Sequence, residues 1–350
     1  MLTKPIEKTR INKPSSIFAL LKTASIDENR QSWKWQLDNA ITSISYLAEY
    51  FGIPESSAIL ETIKKYPVRT VPYYLALADR NDPSDPIRQQ ILPHPDETGV
   101  YSDFVPDPFK ENFSPCSYLV HRYPNRVLCV LTDICAVKCR HCTRKNLLGT
   151  SRSRSESEID AIISYIGNNV RIHEVIVSGG DPLVLETEML DDFLGRIRKI
   201  KHVSVIRIGS RIPVTLPMRI DANLCDVLKK HAPIWFNTHF NHARELTKEA
   251  KLACAMLVDS GIPVSNQTVL LKNVNDSFES LAELFDSLVS NRVRPYYLFQ
   301  CDPVSGTGHF KVELEKGIKL MEQLKSNLGG LSIPNFVADL PNTAGKTRLA

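Results

Sequence analysis

Apolar, β-branched runs recur along the later two-thirds of the chain at intervals of roughly thirty residues, the length of one strand–helix unit. They are VLCVLTD (127–133), HEVIVSG (173–179), VSVIRIG (203–209), IWFNTH (234–239), PVSNQTVLL (263–271), RPYYLFQC (294–301) and PNFVAD (334–339). Between them lie ESEIDAIISYIG, TEMLDDFLGRIRKI, DANLCDVLKKH, ARELTKEAKLACAMLVDSG, SFESLAELFDSLVSN and KVELEKGIKLMEQLKSN, whose apolar residues have helical spacing. Strands alternating with helices predict an α/β fold with a parallel sheet. The number of units fits a partial (β/α)6-type barrel better than a short open sheet.

The first 115 residues read differently. SWKWQLDNAITSISYLAEYFG predicts one amphipathic helix and PESSAILETIKKY another, with Pro54 near its start. Pro and Asp then become frequent, from NDPSDPIRQQILPHPDE to VPDPFKENFSP. That stretch lacks the Gly/Ser bias of a flexible linker and predicts an ordered connector. The expected divisions are a helical region and connector (1–115), the partial barrel (116–340) and a short C-terminal segment (341–350).

Composition narrows the class. A chain of 350 residues with 43% hydrophobic content can bury a large core. Lys and Arg number 43 against 39 acidic residues, for a net charge of +4. Such an excess does not point to nucleic acid, and basic residues tied to anionic cofactors account for it equally well. The N-terminus, MLTKPIEKTRINKPSS, lacks an apolar signal core. No apolar run approaches the ~18 residues of a membrane span. Eight cysteines are too few for a disulfide scaffold, so the expectation is a cytoplasmic protein with reduced thiols.

Chemistry enters with CAVKCRHC, which places Cys135, Cys139 and Cys142 directly after the first strand. Three thiolates can hold three irons of a four-iron cluster and leave the fourth iron open. An open iron is what S-adenosylmethionine needs to be bound and reductively split into a radical. A zinc knuckle with a remote fourth ligand is the alternative, but zinc sites usually use paired Cys-x2-Cys or Cys/His arms. Cys116, Cys129, Cys225, Cys254 and Cys301 lie in apolar surroundings and are expected to pack in the core.

In strand–helix barrels, chemistry gathers where strands end and loops begin. Ser178, Gly179, Gly180 and Asp181 follow the second strand. Their glycines would let the backbone approach an anionic ligand and aim amides at it, or would simply make a turn. Asn237 and His239 end the fourth strand, Cys301 and Asp302 end the sixth and Asp339 ends the last. His239 and His242 need not face one another, so no metal is expected there. Carboxylates at such a rim can bind a cation or cap a turn. Arg122 and Arg126 suit a phosphate, or a solvated basic turn before the first strand; Arg144 suits a carboxylate or the surface. Spacing alone gives Lys346 no role.

Taken together, SWKWQL, DPSDPIRQQ, HRYPNRVL, CAVKCRHCTRK, SGGDPL, WFNTHFNH, NQTVLLKNVND, RPYYLFQCD and the terminal Asp-x6-Lys occur in one order. In these motifs the chain, from about Trp33 to Lys346, resembles the lysine 2,3-aminomutase family of radical S-adenosylmethionine enzymes. The resemblance implies a 4Fe–4S cluster on Cys135, Cys139 and Cys142, with pyridoxal 5′-phosphate on Lys346 and its phosphate on Arg122 and Arg126. It also implies Arg144 for the substrate α-carboxylate, Asp302 and Asp339 for its side-chain ammonium, and His141, Ser178–Asp181, His239 and Gln267 around S-adenosylmethionine and the cofactor. The implied reaction removes hydrogen from C3 of an amino acid held as an imine, moves nitrogen from C2 to C3, and returns the hydrogen. An external one-electron reductant must feed the cluster.

Two carboxylates around the side chain favour a cationic substrate, lysine first and arginine second, and disfavour glutamate. Other readings are a short relative making β-lysine for an elongation factor, and an inactive iron–sulfur-binding relic. Keeping Lys346 argues against the relic. Where the family often has a glycine run before the lysine, this chain has PNTA and then Gly345. The family's longer members carry a cysteine-bearing tail that binds zinc between subunits, with another ligand at the position of Ser277. Because this chain stops at Ala350 and carries serine there, no zinc is expected, and a homo-oligomer remains open.

Overall fold

The computed structural model describes residues 16–111, 116–147, 152–340 and 345–350. The PNTA segment of the final loop therefore lies outside the described residues, as do 1–15. The strands form one sheet in chain order: β1 (Leu119–Tyr123), β2 (Arg126–Val130), β3 (Glu174–Ser178), β4 (Val205–Gly209), β5 (Ile234–Thr238), β6 (Val264–Leu270), β7 (Arg294–Gln300), β8 (Asn335–Ala338) and β9 (Thr347–Arg348). From β2 to β8 all neighbours are parallel. The helices Glu156–Asn168, Thr187–Arg198, Ala222–Lys230, Lys248–Asp259, Phe278–Ser290 and Leu314–Asn327 make the crossovers. β1 and β9 do not pair with one another, so the sheet curls without closing into a full barrel.

Each predicted run forms a strand, and the structure adds two more. HRYPNR, read as a basic turn, is the tip of an antiparallel hairpin between β1 and β2, with Tyr123 opposite Arg126. Thr347 and Arg348 pair antiparallel with Ala338 and Val337, which brings the C-terminal segment back along β8. Neither piece has the apolar alternation of a buried strand; a neighbouring edge supplies its hydrogen-bond partners. Two expected helices are broken. Trp33–Asp38 and Ile44–Phe51 are separate, because Ile41 leaves to bridge Thr70 and Ser43 caps the second helix. Likewise Ala243–Glu245 is a single 3₁₀ turn, and Thr247 caps Lys248–Asp259 anew.

The core lies between the sheet and its crossover helices. Val175, Val177, Ile206, Ile208 and Phe236 are fully buried, as are Leu194, Leu224, Leu257, Phe285 and Met321. The alternate positions point to the other face and are less apolar. Closed barrels fill that interior with branched side chains. Here Leu128, Ile176, Ser178, Arg207, Asn237 and Gln267 line a cavity of about 340 Å³. Among the described residues no helix is long and apolar enough to cross a membrane.

A buried carboxylate is one of the ties between the N-terminal region and the cysteine loop. Glu97 accepts from Arg140 Nε at 2.9 Å and Nη2 at 2.5 Å, and from Lys145 Nζ at 2.8 Å. Burial would raise its pKa, but the two cations override that and hold it below the usual value. Glu97→Gln leaves buried cations without their counter-charge and should cost about 3–5 kcal/mol, read as a lower midpoint of thermal or urea unfolding. A variant as stable as the parent would show that this tie does not hold the two regions together.

Candidate active site

The chain leaves β2 and enters the cysteine loop, where backbone contacts to distant segments fix its course. Arg69 Nε donates to the Cys135 carbonyl at 2.7 Å, and the Lys138 N–H donates to the Arg69 carbonyl at 2.9 Å. The Arg140 N–H donates to the Gln90 carbonyl at 3.0 Å. Cys135, Cys139 and Cys142 line one small cavity together with Gly180, Asp181 and Arg211. Burial raises the thiols of Cys135 and Cys142, and neighbouring cysteines add to it. Bound iron would reverse that balance, because a coordinating thiol is deprotonated outright. Among the described residues no three His, Cys, Asp or Glu side chains converge on a single-ion site. Three cysteine thiols on one cavity wall are the donor set that a four-iron cluster with one open iron takes. Of the other cysteines, Cys129, Cys225, Cys254 and Cys301 are buried as expected, whereas Cys116 is only partly so.

SGGD packs on this loop, and two of its amides face the loop where a ligand was expected. The Gly180 N–H donates to the Thr132 carbonyl at 2.6 Å and the Asp181 N–H to the Ile134 carbonyl at 2.8 Å. Both amides therefore serve the cysteine loop, not an anion. A Cβ on Gly180 would lie 2.4 Å from the Ile134 carbonyl oxygen. Gly179, at φ +148°, would bring one to 2.5 Å from the Thr132 oxygen. The glycines are needed because two backbones touch. Asp181 accepts from Ser210 Oγ and the Arg211 N–H, both at 2.7 Å, and burial lifts its pKa to about 6.

Arg211, which carries no motif, joins several parts of the site. Its Nη1 donates to Cys139 Sγ at 2.7 Å and its Nε to the His239 carbonyl at 3.1 Å. Its Nη2 reaches Gln90 at 2.6 Å, Glu245 at 2.7 Å and the Tyr74 hydroxyl at 3.1 Å. Glu245 is fully buried, so the pair is desolvated. His141 hydrogen-bonds Asn241 at 3.2 Å, and its buried Nδ1 has no partner among the described residues. The His239 ring hydrogen-bonds the Gln267 carbonyl at 3.0 Å. Burial lowers the pKa of both histidines, His239 to about 4, so neither carries charge at neutral pH. His242 instead caps the turn at Ala243.

The larger cavity runs from Cys139 and Cys142 past Ser178, Gly179, His141, His239 and Gln267 to Arg144, Asp302, Asp339 and Lys346. Residues more than two hundred positions apart in sequence thus share one wall. At its far end the charges pair among themselves. Lys346 Nζ lies 3.2 Å from Asp339 Oδ2 and 4.9 Å from the Phe299 ring centre. Arg122 Nη1 meets Asp339 Oδ1 at 2.8 Å. Arg144 is gripped by Glu111, with Nε at 2.7 Å and Nη2 at 2.9 Å from its carboxylate oxygens. Asp302 accepts from the Thr143 hydroxyl at 2.8 Å. Its other oxygen is buried without a partner among the described residues, and burial lifts its pKa to about 6.

The two arginines expected at a phosphate stand outside the cavity wall, on the β1–β2 hairpin. Both guanidinium groups stack on Tyr123, Arg126 at 3.8 Å and Arg122 at 5.3 Å. They share one edge of the site, where Arg122 touches the wall residues Asp339 and Phe109. Sequence reading passed over Glu97, Glu111, Thr143 and Arg211. Thr143 and Glu111 lie within quoted motifs, but nothing in their spacing distinguishes them from surface residues.

A model of the radical SAM superfamily matches residues 129–285. The L-lysine 2,3-aminomutase of Clostridium subterminale is 42% identical over 334 residues, covering 94% of this chain and 80% of that protein. The L-lysine 2,3-aminomutase of Methanococcus maripaludis is 46% identical over 332 residues, covering 93% and 76%. The glutamate 2,3-aminomutase of Clostridioides difficile is 37% identical over 355 residues, covering 99% and 83%.

The packing of SGGD on the cysteine loop is testable without catalysis. Gly180→Ala should lower iron bound per chain severalfold after anaerobic reconstitution, with the far-ultraviolet dichroism unchanged. Full iron loading in that variant would show that the backbone contact does not govern the loop.

Proposed function

This chain belongs to the lysine 2,3-aminomutase family of radical S-adenosylmethionine enzymes, and on that premise we propose that it moves the α-amino group of L-lysine to C3, giving β-lysine. Its cofactors are a 4Fe–4S cluster, S-adenosylmethionine and pyridoxal 5′-phosphate. When bound, they supply a 5′-deoxyadenosyl radical for hydrogen abstraction, and a carbonyl that takes the amino group and a π system that spreads the unpaired electron.

The chain's own residues divide the work. Cys135, Cys139 and Cys142 would hold the cluster, with Arg211 steadying Cys139. Lys346 would hold pyridoxal phosphate through its amine, beside Asp339 as a proton acceptor, and Arg122 and Arg126 would take the phosphate. Ser178–Asp181, His141, His239 and Gln267 would border S-adenosylmethionine and the ring. Arg144 would orient the substrate α-carboxylate. Asp302 and Asp339 would receive the side-chain ammonium. The cavity walls keep water from the radical and fix the distance over which hydrogen moves. An external one-electron reductant is required, and the cytoplasm is the compartment that keeps such thiols reduced.

The observation that carries the substrate reading is Asp302: a buried carboxylate with an oxygen left unpartnered in the cavity that also holds Lys346. A cationic side chain would satisfy it. A glutamate carboxylate there would be repelled by roughly 1–4 kcal/mol for each carboxylate at 4 Å.

Anaerobic enzyme reconstituted with all three cofactors and a reductant should convert lysine, and not glutamate or alanine, to the β-isomer. Turnover of arginine without lysine would overturn the substrate assignment. Lys346→Ala should abolish the cofactor's visible absorbance and leave the cluster spectrum intact. With its pKa raised to about 6, Asp302 loses charge as pH falls through that value. The KM for lysine should therefore rise about tenfold per unit below pH 6 and level off above it, and Asp302→Asn should raise KM and flatten the profile. A steep acid limb surviving in that variant would place the titration elsewhere.

A further inference from the structure

Arg144 and Glu111 form the most fully hydrogen-bonded charge pair in the substrate end of the cavity. Glu111 takes one edge of the guanidinium, Nε and one N–H of Nη2. The planar group has a second edge, formed by Nη1 and the other N–H of Nη2, which can bind a carboxylate in the same forked manner. Among the described residues Nη1 donates to no protein acceptor, and Arg144 lines the cavity. Both side chains are largely buried, with exposures of 21% and 13%. Burial works against the Arg144 charge, and the Glu111 carboxylate more than offsets it.

Glu111 is itself held from two sides. Its N–H donates to Asp107 Oδ1 at 3.0 Å. The connector preceding it is fastened to the loop after β7, where the Val105 N–H donates to the Pro303 carbonyl at 3.1 Å and the Ser305 N–H to the Val105 carbonyl at 2.9 Å. That loop carries Asp302. The group gripping Arg144 and the carboxylate offered to the substrate's far end are therefore fixed to one another through a few residues of backbone.

We propose that Glu111 is a positioning residue for the substrate. It locks Arg144 by one edge so that the opposite edge receives the α-carboxylate, at a set distance from Asp302. The inference rests on the reading of Arg144 as the carboxylate-binding group. The opposite role, a stand-in anion that substrate must displace, predicts the opposite sign on substitution.

The test uses the reconstituted holoenzyme. Glu111→Gln replaces one acceptor by a donor facing the guanidinium, and the forked grip is lost. KM for L-lysine should rise tenfold or more, with kcat changed less than threefold and with iron content and cofactor absorbance unchanged. Glu111→Asp keeps the charge on a shorter arm and should fall between the parent and Glu111→Gln. L-Lysine amide, which offers no α-carboxylate, should perturb the cofactor absorbance at the same concentration in parent and variant. A lower KM in Glu111→Gln would overturn the proposal in favour of displacement. An equal loss for lysine and its amide, or loss of iron or cofactor, would overturn it in favour of a purely structural role. Arg144→Lys separates the premise from the inference. If its KM for lysine is unchanged, the reading of Arg144 fails and the inference with it. If it rises while Glu111→Gln does not change KM, the inference alone fails.

Discussion

The register between the N-terminal region and the cysteine loop depends most on a buried carboxylate that meets two cations. Glu97, on a turn of the N-terminal region, is shared by Arg140 and Lys145, which flank the last cysteine of the loop. Lys145 also donates to the Gly306 carbonyl at 2.7 Å, in the loop that follows β7 and carries Asp302. The cluster end and the substrate end of the cavity are thus joined through this desolvated charge cluster, alongside the Thr143 hydroxyl on Asp302. Removing one partner of such a pair is costly because the remaining charge has no water to turn to. A radical reaction needs this fixity, since hydrogen transfer requires donor and acceptor carbons to be held in near contact.

The open sheet supplies the space. Packing on its outer face is complete and apolar, while its inner face carries polar residues that cannot fill a core. Loops from the strand ends then crowd the rim, and SGGD is pressed so closely on the cysteine loop that only hydrogen fits at the two α-carbons. Arg211 and Glu245 extend the same tight contact to the N-terminal helices through Tyr74 and Gln90. Polar groups buried this deeply are tolerated because they are hydrogen-bonded to one another.

Charges at the substrate end are arranged with equal economy. Asp339 meets Lys346 and Arg122, and Arg144 meets Glu111, so these groups are compensated before any ligand arrives. Asp302 is less well compensated: the Thr143 hydroxyl and the Lys346 charge act against its desolvation without cancelling it. That asymmetry gives a cationic side chain something to gain. It also gives a physical reason why a fold shared with a glutamate 2,3-aminomutase can take a side chain of the other sign.

Much of this was legible in the chain. The thirty-residue rhythm of β-branched runs specified the parallel strands because burial on the outer face demands apolar residues at fixed spacing. The cysteine spacing and the ordered motifs specified the family, since local chemistry needs particular residue types. Local patterning could not reveal β1 and β9, whose hydrogen bonds are completed by neighbours far along the sequence, nor the breaks at Ile41 and Thr247. It could not reveal that Gly180 answers to the Ile134 carbonyl, or that Glu97, Glu111 and Arg211 are buried partners instead of surface charges. A charged residue looks the same in sequence whether it faces water or another ion; only the folded chain decides which, because the cost of burying it is met by a partner that sequence distance conceals.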